Sequence, residues 1–204
     1  MAGDKQSGSG ERQLKRIIVA ATGASGSPLL VKCLKLIRDT GGFEVILIMS
    51  ESAKLTLQEE TDLQVADVER LADVVFGADE IASPPASGTF CTQGMLIAPC
   101  SMKSVAGICS GYADNLILRA ADVTIKEART LVLAPRESPL SAIHLKNLSS
   151  LALLPTVRII PPMMTFYQHP ATVDDMTEQV ASRLLEPFGI QAKGYKRWQG
   201  LQSN

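Results

Sequence analysis

The amino-acid sequence predicts an α/β fold: one doubly wound, mostly parallel sheet with helices on both faces. Three observations carry this. Short aliphatic runs such as RIIVAA (16–21) and FEVILIM (43–49) are nearly continuous, as in strands covered on both sides. Segments with helical apolar spacing alternate with them. Glycine or proline punctuates many of the joins.

The first strand, 16–21, stops at Thr22-Gly23. GASGSP follows, then an apolar-periodic helix over 29–37, with Pro28 suited to a first turn that needs no N–H. Gly41-Gly42 breaks the chain before the second strand, 43–49. Ser50 leads into a helix through Leu57, and a short helix is expected over 67–73. Residues 81–90, with two prolines and a glycine, read as a loop. A strand over 95–98 ends at Pro99, Ser101 caps a helix, and another helix covers 115–128. Strands are expected at 131–134 and 157–160, around a helix over 141–151. The last helix, 172–185, opens on Thr172 and Asp175, a capping-box-like pair.

With 204 residues, 46% hydrophobic and 20% charged, the chain suits one domain with a full core. We expect that domain over 14–200, with polar tails at 1–13 and 201–204. A net charge of −1 and 4% aromatics give no footprint for nucleic acid, and no run is long enough to span a membrane. Four cysteines without a C-x-x-C pair and two distant histidines argue against zinc and for reduced thiols in a cytoplasm. Cys33 and Cys100 read as core residues.

In a doubly wound sheet, ligands bind beyond the carboxyl ends of the strands, near the point where strand order reverses. The segments there are GASGS, Ser50, PCSMK, PRE and PPMMTFY. Gly23-Ala24-Ser25-Gly26 can be an anion cradle using amides at a helix start, or a plain tight turn. Cys100 to Ser104 can be a second cradle or simply a capped helix. Arg119 and Lys126 share a helix face, with Asp122 between them, as in any surface charge stripe. Arg136 and Glu137 follow a buried strand directly. Together with Arg183, these cations would suit a phosphorylated small molecule if they converged. Glu60 reads as a solvated charge or an acid/base, and Tyr167 as a core aromatic or a ligand contact.

Taken together, TGASG (22–26), MSESA (49–53), EET (59–61), ASGTF (86–90), PCSMKS (99–104), RAADVTIKE (119–127), LVLAPRESPL (131–140), PPMMTFY (161–167) and KRWQG (196–200) resemble the UbiX/Pad1 flavin prenyltransferase family, in family order over about residues 15–200. Ser104 stands where threonine is common and Thr89 where serine is common, and both keep a hydroxyl.

The resemblance implies a flavodoxin-like or Rossmann-like fold and a metal-independent transfer of a dimethylallyl group from dimethylallyl monophosphate to reduced FMN. The prenylated FMN would pass to a UbiD-type decarboxylase. Gly23, Ala24, Ser25, Ser50, Ser101, Met102, Lys103, Ser104 and Arg136 would hold FMN. Arg119, Lys126, Arg136, Tyr167, Arg183 and Trp198 would hold or enclose the prenyl phosphate, with Arg119 contributed by, or facing, a neighbouring subunit. Ser25, Glu60, Ser87, Lys126 and Glu137 would serve the chemistry. The assembly implied is a homododecamer built from trimers. Two other readings compete: a flavin-dependent cysteine decarboxylase of the same fold, which needs an early histidine, and a non-catalytic flavin carrier for an aromatic acid decarboxylase.

Overall fold

The computed structural model describes residues 14–200, so the tails expected at 1–13 and 201–204 lie outside the described residues. Six parallel strands form one sheet: β1 (Lys15–Ala21), β2 (Phe43–Met49), β3 (Val74–Gly77), β4 (Gly94–Cys100), β5 (Thr130–Pro135) and β6 (Val157–Ile159). Their order is β3-β2-β1-β4-β5-β6. The chain winds outward from β1 in one direction, then returns and winds outward from β4 in the other. That reversal leaves a crevice between the carboxyl ends of β1 and β4.

The helices are α1 (Ser27–Thr40), α2 (Glu51–Glu60), α3 (Val65–Glu69), α4 (Met102–Ser110), α5 (Leu116–Lys126), α6 (Ala142–Ala152) and α7 (Val173–Leu185). Alternation along β1 divides them between two faces. Ile17, Val19 and Ala21 point into a core shared with α1, α2, α3 and α7. Ile18 and Ala20 point into a second core shared with α4, α5 and α6. Both faces of the central strands are therefore dry, which is why their sequences show no polar alternation. Cys33 and Cys100 are fully buried in these cores, and burial pushes the Cys100 thiol up to about 12. No helix among the described residues is long and apolar enough to cross a membrane.

Two expectations need correction. The helix expected over 67–73 ends at Glu69, and the residues that follow lead into β3, an edge strand absent from the sequence reading. VVFG is only four residues and partly exposed, so it lacks the long dry run that marks β1, β2, β4 and β5. It is seated instead by Asp73, whose main chain donates to Val45 O (3.0 Å) and whose carboxylate accepts from Val45 N–H (2.7 Å). Within the expected loop 81–90, Pro84–Ala86 forms a short 3-10 turn with Pro85 buried.

Candidate active site

The strand tips are tied to one another before any side chain reaches solvent. Thr22, at the end of β1, is 5% exposed. Its N–H and hydroxyl donate to Pro99 O (3.0 and 3.3 Å), and its hydroxyl accepts from Ser101 N–H (2.8 Å). Ser50 N–H donates to Ala21 O (3.1 Å), and Arg136 N–H to Cys100 O (3.2 Å). Loop 23–26, Ser50, Ser101 and Arg136 thus share one crest over β2, β1, β4 and β5.

The helix starts on this crest are capped in different ways. Ser50 accepts from Ala53 N–H at α2 (3.1 Å), and Ser101 from Ser104 N–H at α4 (3.3 Å). Gly26, before α1, has no side chain to cap with. The Glu60 carboxylate takes that role, accepting from Gly26 N–H (2.9 Å) and Ser27 N–H (2.8 Å). Of the two readings of the GASG turn, the plain turn holds at the Gly26 and Ser27 amides, which an internal anion already satisfies. The first turn of α4, where Ser101 caps only the Ser104 amide and the Met102 and Lys103 amides have no intrahelical acceptor, is the better cradle. Burial raises the Glu60 pKa, but hydrogen bonding from the Ser25 side chain and the Gly26 and Ser27 amides outweighs it. The carboxyl sits below its ordinary value.

Ser25, Glu60 and Arg136 line a cleft of about 520 Å³. Its walls are apolar, from Leu29 on α1, Pro162 and Met164 after β6, and Val173, Met176 and Val180 on α7. Few polar groups in an apolar cleft of this size is the usual form of a small-molecule site. Beside it, sharing Val180, lies a hollow of about 190 Å³ that holds Tyr167, Arg183, Tyr195 and Gln179. The Trp198 ring meets Tyr167 edge-on, with centroids 5.5 Å apart. One chain therefore brings together Ser25, Glu60 and Arg136, and next to them Tyr167, Arg183 and Trp198.

It does not bring the others to that place. Lys126 ends α5 just before β5 begins, at the amino end of the parallel strands. Ser87 lies at the same end, where its hydroxyl meets Thr89 Oγ1 (2.9 Å) and the neighbouring Gly88 packs on Lys126 and Glu127. Arg119 pairs with Asp122 (2.6 Å) and donates to Ala86 O (3.2 Å). The idea that four cations converge thus fails within one chain: Arg136 and Arg183 are neighbours of the cleft, whereas Arg119 and Lys126 are not. The side chain of Met102 is buried in the α4–α6 core, so only its main chain is open to a ligand. Lys103 lines a separate hollow with Tyr112, Asp114 and Asn147. Glu137 is exposed beside Arg136, where its carboxylate accepts from Ser138 N–H (3.0 Å).

Three residues that serve this architecture had no assigned role in the sequence. Thr22 is the pin between β1 and β4. Arg129 donates to Gly88 O (2.7 Å) and Phe90 O (2.9 Å), fastening the turn that carries Ser87. Glu186 holds Arg183 and Arg197. Arg129 acts across about forty residues and Glu186 reaches Arg197 eleven residues on, contacts that no local motif marks. Neither histidine enters the cleft: His144 caps α6, accepting from Ser141 N–H (3.2 Å), and His169 is exposed with φ 50°. This removes the side chain that the cysteine-decarboxylase reading required.

The doubly wound sheet and the cleft at its switch point are those of a flavin-binding class, and residues 5–185 match the family model described as Flavoprotein. A probable UbiX-like flavin prenyltransferase from Streptomyces sp. (strain D7) is 46% identical over 188 residues, covering 92% of this chain and 94% of the relative. The crystal structure of a dodecameric FMN-dependent Ubix-like decarboxylase from Escherichia coli O157:H7 superposes with a TM-score of 0.88 at 48% identity, covering 91% of this chain and all of that one. That of AnUbiX (PadA1), in complex with FMN and dimethylallyl pyrophosphate, gives 0.90 at 40% identity, covering 93% of this chain and all of that one. The chain belongs to the UbiX-like flavin prenyltransferases.

Proposed function

We propose that this protein transfers a dimethylallyl group from dimethylallyl monophosphate to reduced FMN. The observation that supports it most is the pairing of two adjoining cavities at the strand tips, one with Ser25, Glu60 and Arg136, the other with Tyr167 and Arg183. FMN suits the first. Gly23 lets the loop pack against Ser52, where a Cβ would lie 2.4 Å from the Ser52 Cβ, the α4 first turn offers amides, and the walls are apolar enough for a flat ring. Gly23, Ala24, Ser25, Ser50, Ser101 to Ser104 and Arg136 would hold it. Reduced FMN, once bound, supplies the N5 and C6 atoms to which the five-carbon group is joined.

The chain's own residues do the rest. Arg136 and Arg183 neutralise charge that builds on the phosphate as its bond to the allyl carbon breaks. Tyr167 lines the same hollow as Arg183. The walls formed by Leu29, Pro162, Met164 and Val173 keep water from an electron-poor allyl carbon. Ionised Glu60, acting with Ser25, and Glu137 are the groups placed to accept and return protons. Lys126, Arg119 and Ser87 serve the same reaction from a neighbouring copy, in a homododecamer built from trimers. The dodecameric relative supports this, as does the distance of these residues from the cleft in one chain. The product would go to a UbiD-type decarboxylase in the cytoplasm.

This reaction predicts release of one inorganic phosphate per FMN in a single turnover, measured by rapid quench. No release with reduced FMN present would contradict it. Arg183→Ala is expected to raise the KM for dimethylallyl monophosphate by about ten- to a hundredfold, the loss of a charge-assisted contact, and to leave the FMN Kd within a factor of about two. Steady-state kinetics and flavin titration check this; an equal loss of both ligands would make Arg183 structural.

A further inference from the structure

The carboxyl-terminal segment beyond Ala192 runs over α7 with no buried apolar anchor, only the edge contact of Trp198 with Tyr167. Ile190 and Ala192 are buried, but no residue from 193 to 200 is. Polar contacts hold it. Gln179 Nε2 donates to Gly194 O (3.4 Å) and Gln168 Nε2 to Lys196 O (3.1 Å). Its only ion pair among the described residues is Arg197 Nε with Glu186 Oε1 (2.8 Å). The other oxygen of the same carboxylate accepts from Arg183 Nη1 (2.5 Å). The Arg197 guanidinium also lies over the Tyr195 ring, 5.4 Å from its centroid.

Glu186 therefore stands between two things the proposed reaction needs. One is Arg183, at the hollow with Tyr167 and Tyr195. The other is the segment that carries Trp198 to the edge of Tyr167. An exposed ion pair alone would contribute little. Here the Glu186 side chain is only 20% exposed and both of its oxygens are used by guanidinium groups. Burial acts to raise its pKa, but the hydrogen bonds from Arg197 and Arg183 prevail, so it stays anionic.

The geometry points to Glu186 as a positioning residue: a two-armed counter-ion that aims Arg183 at the substrate phosphate and docks the Tyr195–Trp198 segment over the same hollow. This rests on the prenyl-phosphate reading above and adds to it a residue, distant from the reacting atoms, on which substrate binding depends.

Trp198 is the only tryptophan in the chain, so its emission reports on the segment directly. Glu186→Gln keeps the side-chain shape and removes the charge. In the FMN-loaded protein we expect about twofold greater quenching of Trp198 by acrylamide, and about a tenfold higher KM for dimethylallyl monophosphate, with kcat within about threefold and FMN affinity within about twofold. Arg197→Ala should reproduce the gain in quenching. Unchanged quenching overturns the proposal, as does greater quenching with KM unchanged. Parallel collapse of kcat and FMN affinity would also overturn it, since Glu186 would then be a general fold contact. If the unsubstituted protein transfers no prenyl group, the assigned reaction fails; the Trp198 comparison still decides whether Glu186 docks the segment.

Discussion

Glu60→Gln is expected to slow prenyl transfer by about a hundred- to ten-thousandfold, the usual worth of a positioned acid or base, while FMN stays bound. The substitution separates two roles of one carboxylate. As a cap, Glu60 accepts from the Gly26 and Ser27 amides, and the glutamine oxygen can still accept one such bond. As a base, it must be able to take a proton, which the amide cannot do. Single-turnover measurement of transfer in both proteins checks this, and an unchanged rate would leave Glu60 as a helix cap only.

The same group leaves a mark on stability. Burial raises its pKa, yet the donors at Ser25, Gly26 and Ser27 hold it below the unfolded value. A carboxyl lowered on folding stabilises the native state above the unfolded pKa, about 4.3. That stabilisation is lost as pH falls through the lower, folded value. The unsubstituted protein should therefore lose a Glu60-dependent increment of stability below about pH 4.3, and Glu60→Gln should show none.

Gly94→Ala is expected to lower stability by about 4 kcal/mol, combining an overpacked contact with a strained main chain. Gly94 opens β4 with φ 148°, and a Cβ there would lie 2.2 Å from Thr130 O on the neighbouring strand. The obstacle is main chain held in the β4–β5 ladder, so no side-chain rotation relieves it. For a chain of this length the melting temperature should fall by roughly 8–16 °C. Differential scanning calorimetry at fixed protein and FMN concentration checks it; a fall under about 2 °C would mean that the strand pair shifts freely. The effect on transfer would follow indirectly, because β4 carries Ser101 and β5 carries Arg136 to the crest.

Gly94 also shows where the sequence stops being informative. The four long strands β1, β2, β4 and β5 were visible because their residues are dry on both faces, and β2 appears over the same residues as expected; the three-residue β6 was visible from the proline pair that stops it. Most helix starts were visible because Ser101, Ser141 and Thr172 are cap residues in plain view, and the Thr172–Asp175 box forms as expected. β3 was not, because VVFG is short, lies at an edge and relies on Asp73 and Val45, 28 residues apart, for its seat. A glycine required by a carbonyl 36 residues away has no local signature either.

The site divides in the same way. Its strand-tip half was legible, because doubly wound sheets place ligands at those tips whatever their chemistry. Glu60 read as a solvated charge or an acid/base, and it also closes α1 from 34 residues away. Arg119, Lys126 and Ser87 were grouped with the cleft through family resemblance, although chain direction puts the end of α5 at the opposite edge of the sheet. In the proposed assembly a second copy completes the set, and one sequence does not state how copies meet.

The central claim is that this protein builds a modified flavin rather than carrying an unmodified one. It is tested most directly by the mass of the flavin recovered after anaerobic incubation of the protein with reduced FMN and dimethylallyl monophosphate. Flavin heavier by one C5H8 unit is the predicted result. Recovery of FMN alone, under conditions where both ligands are shown to bind, would contradict it and leave a flavin carrier.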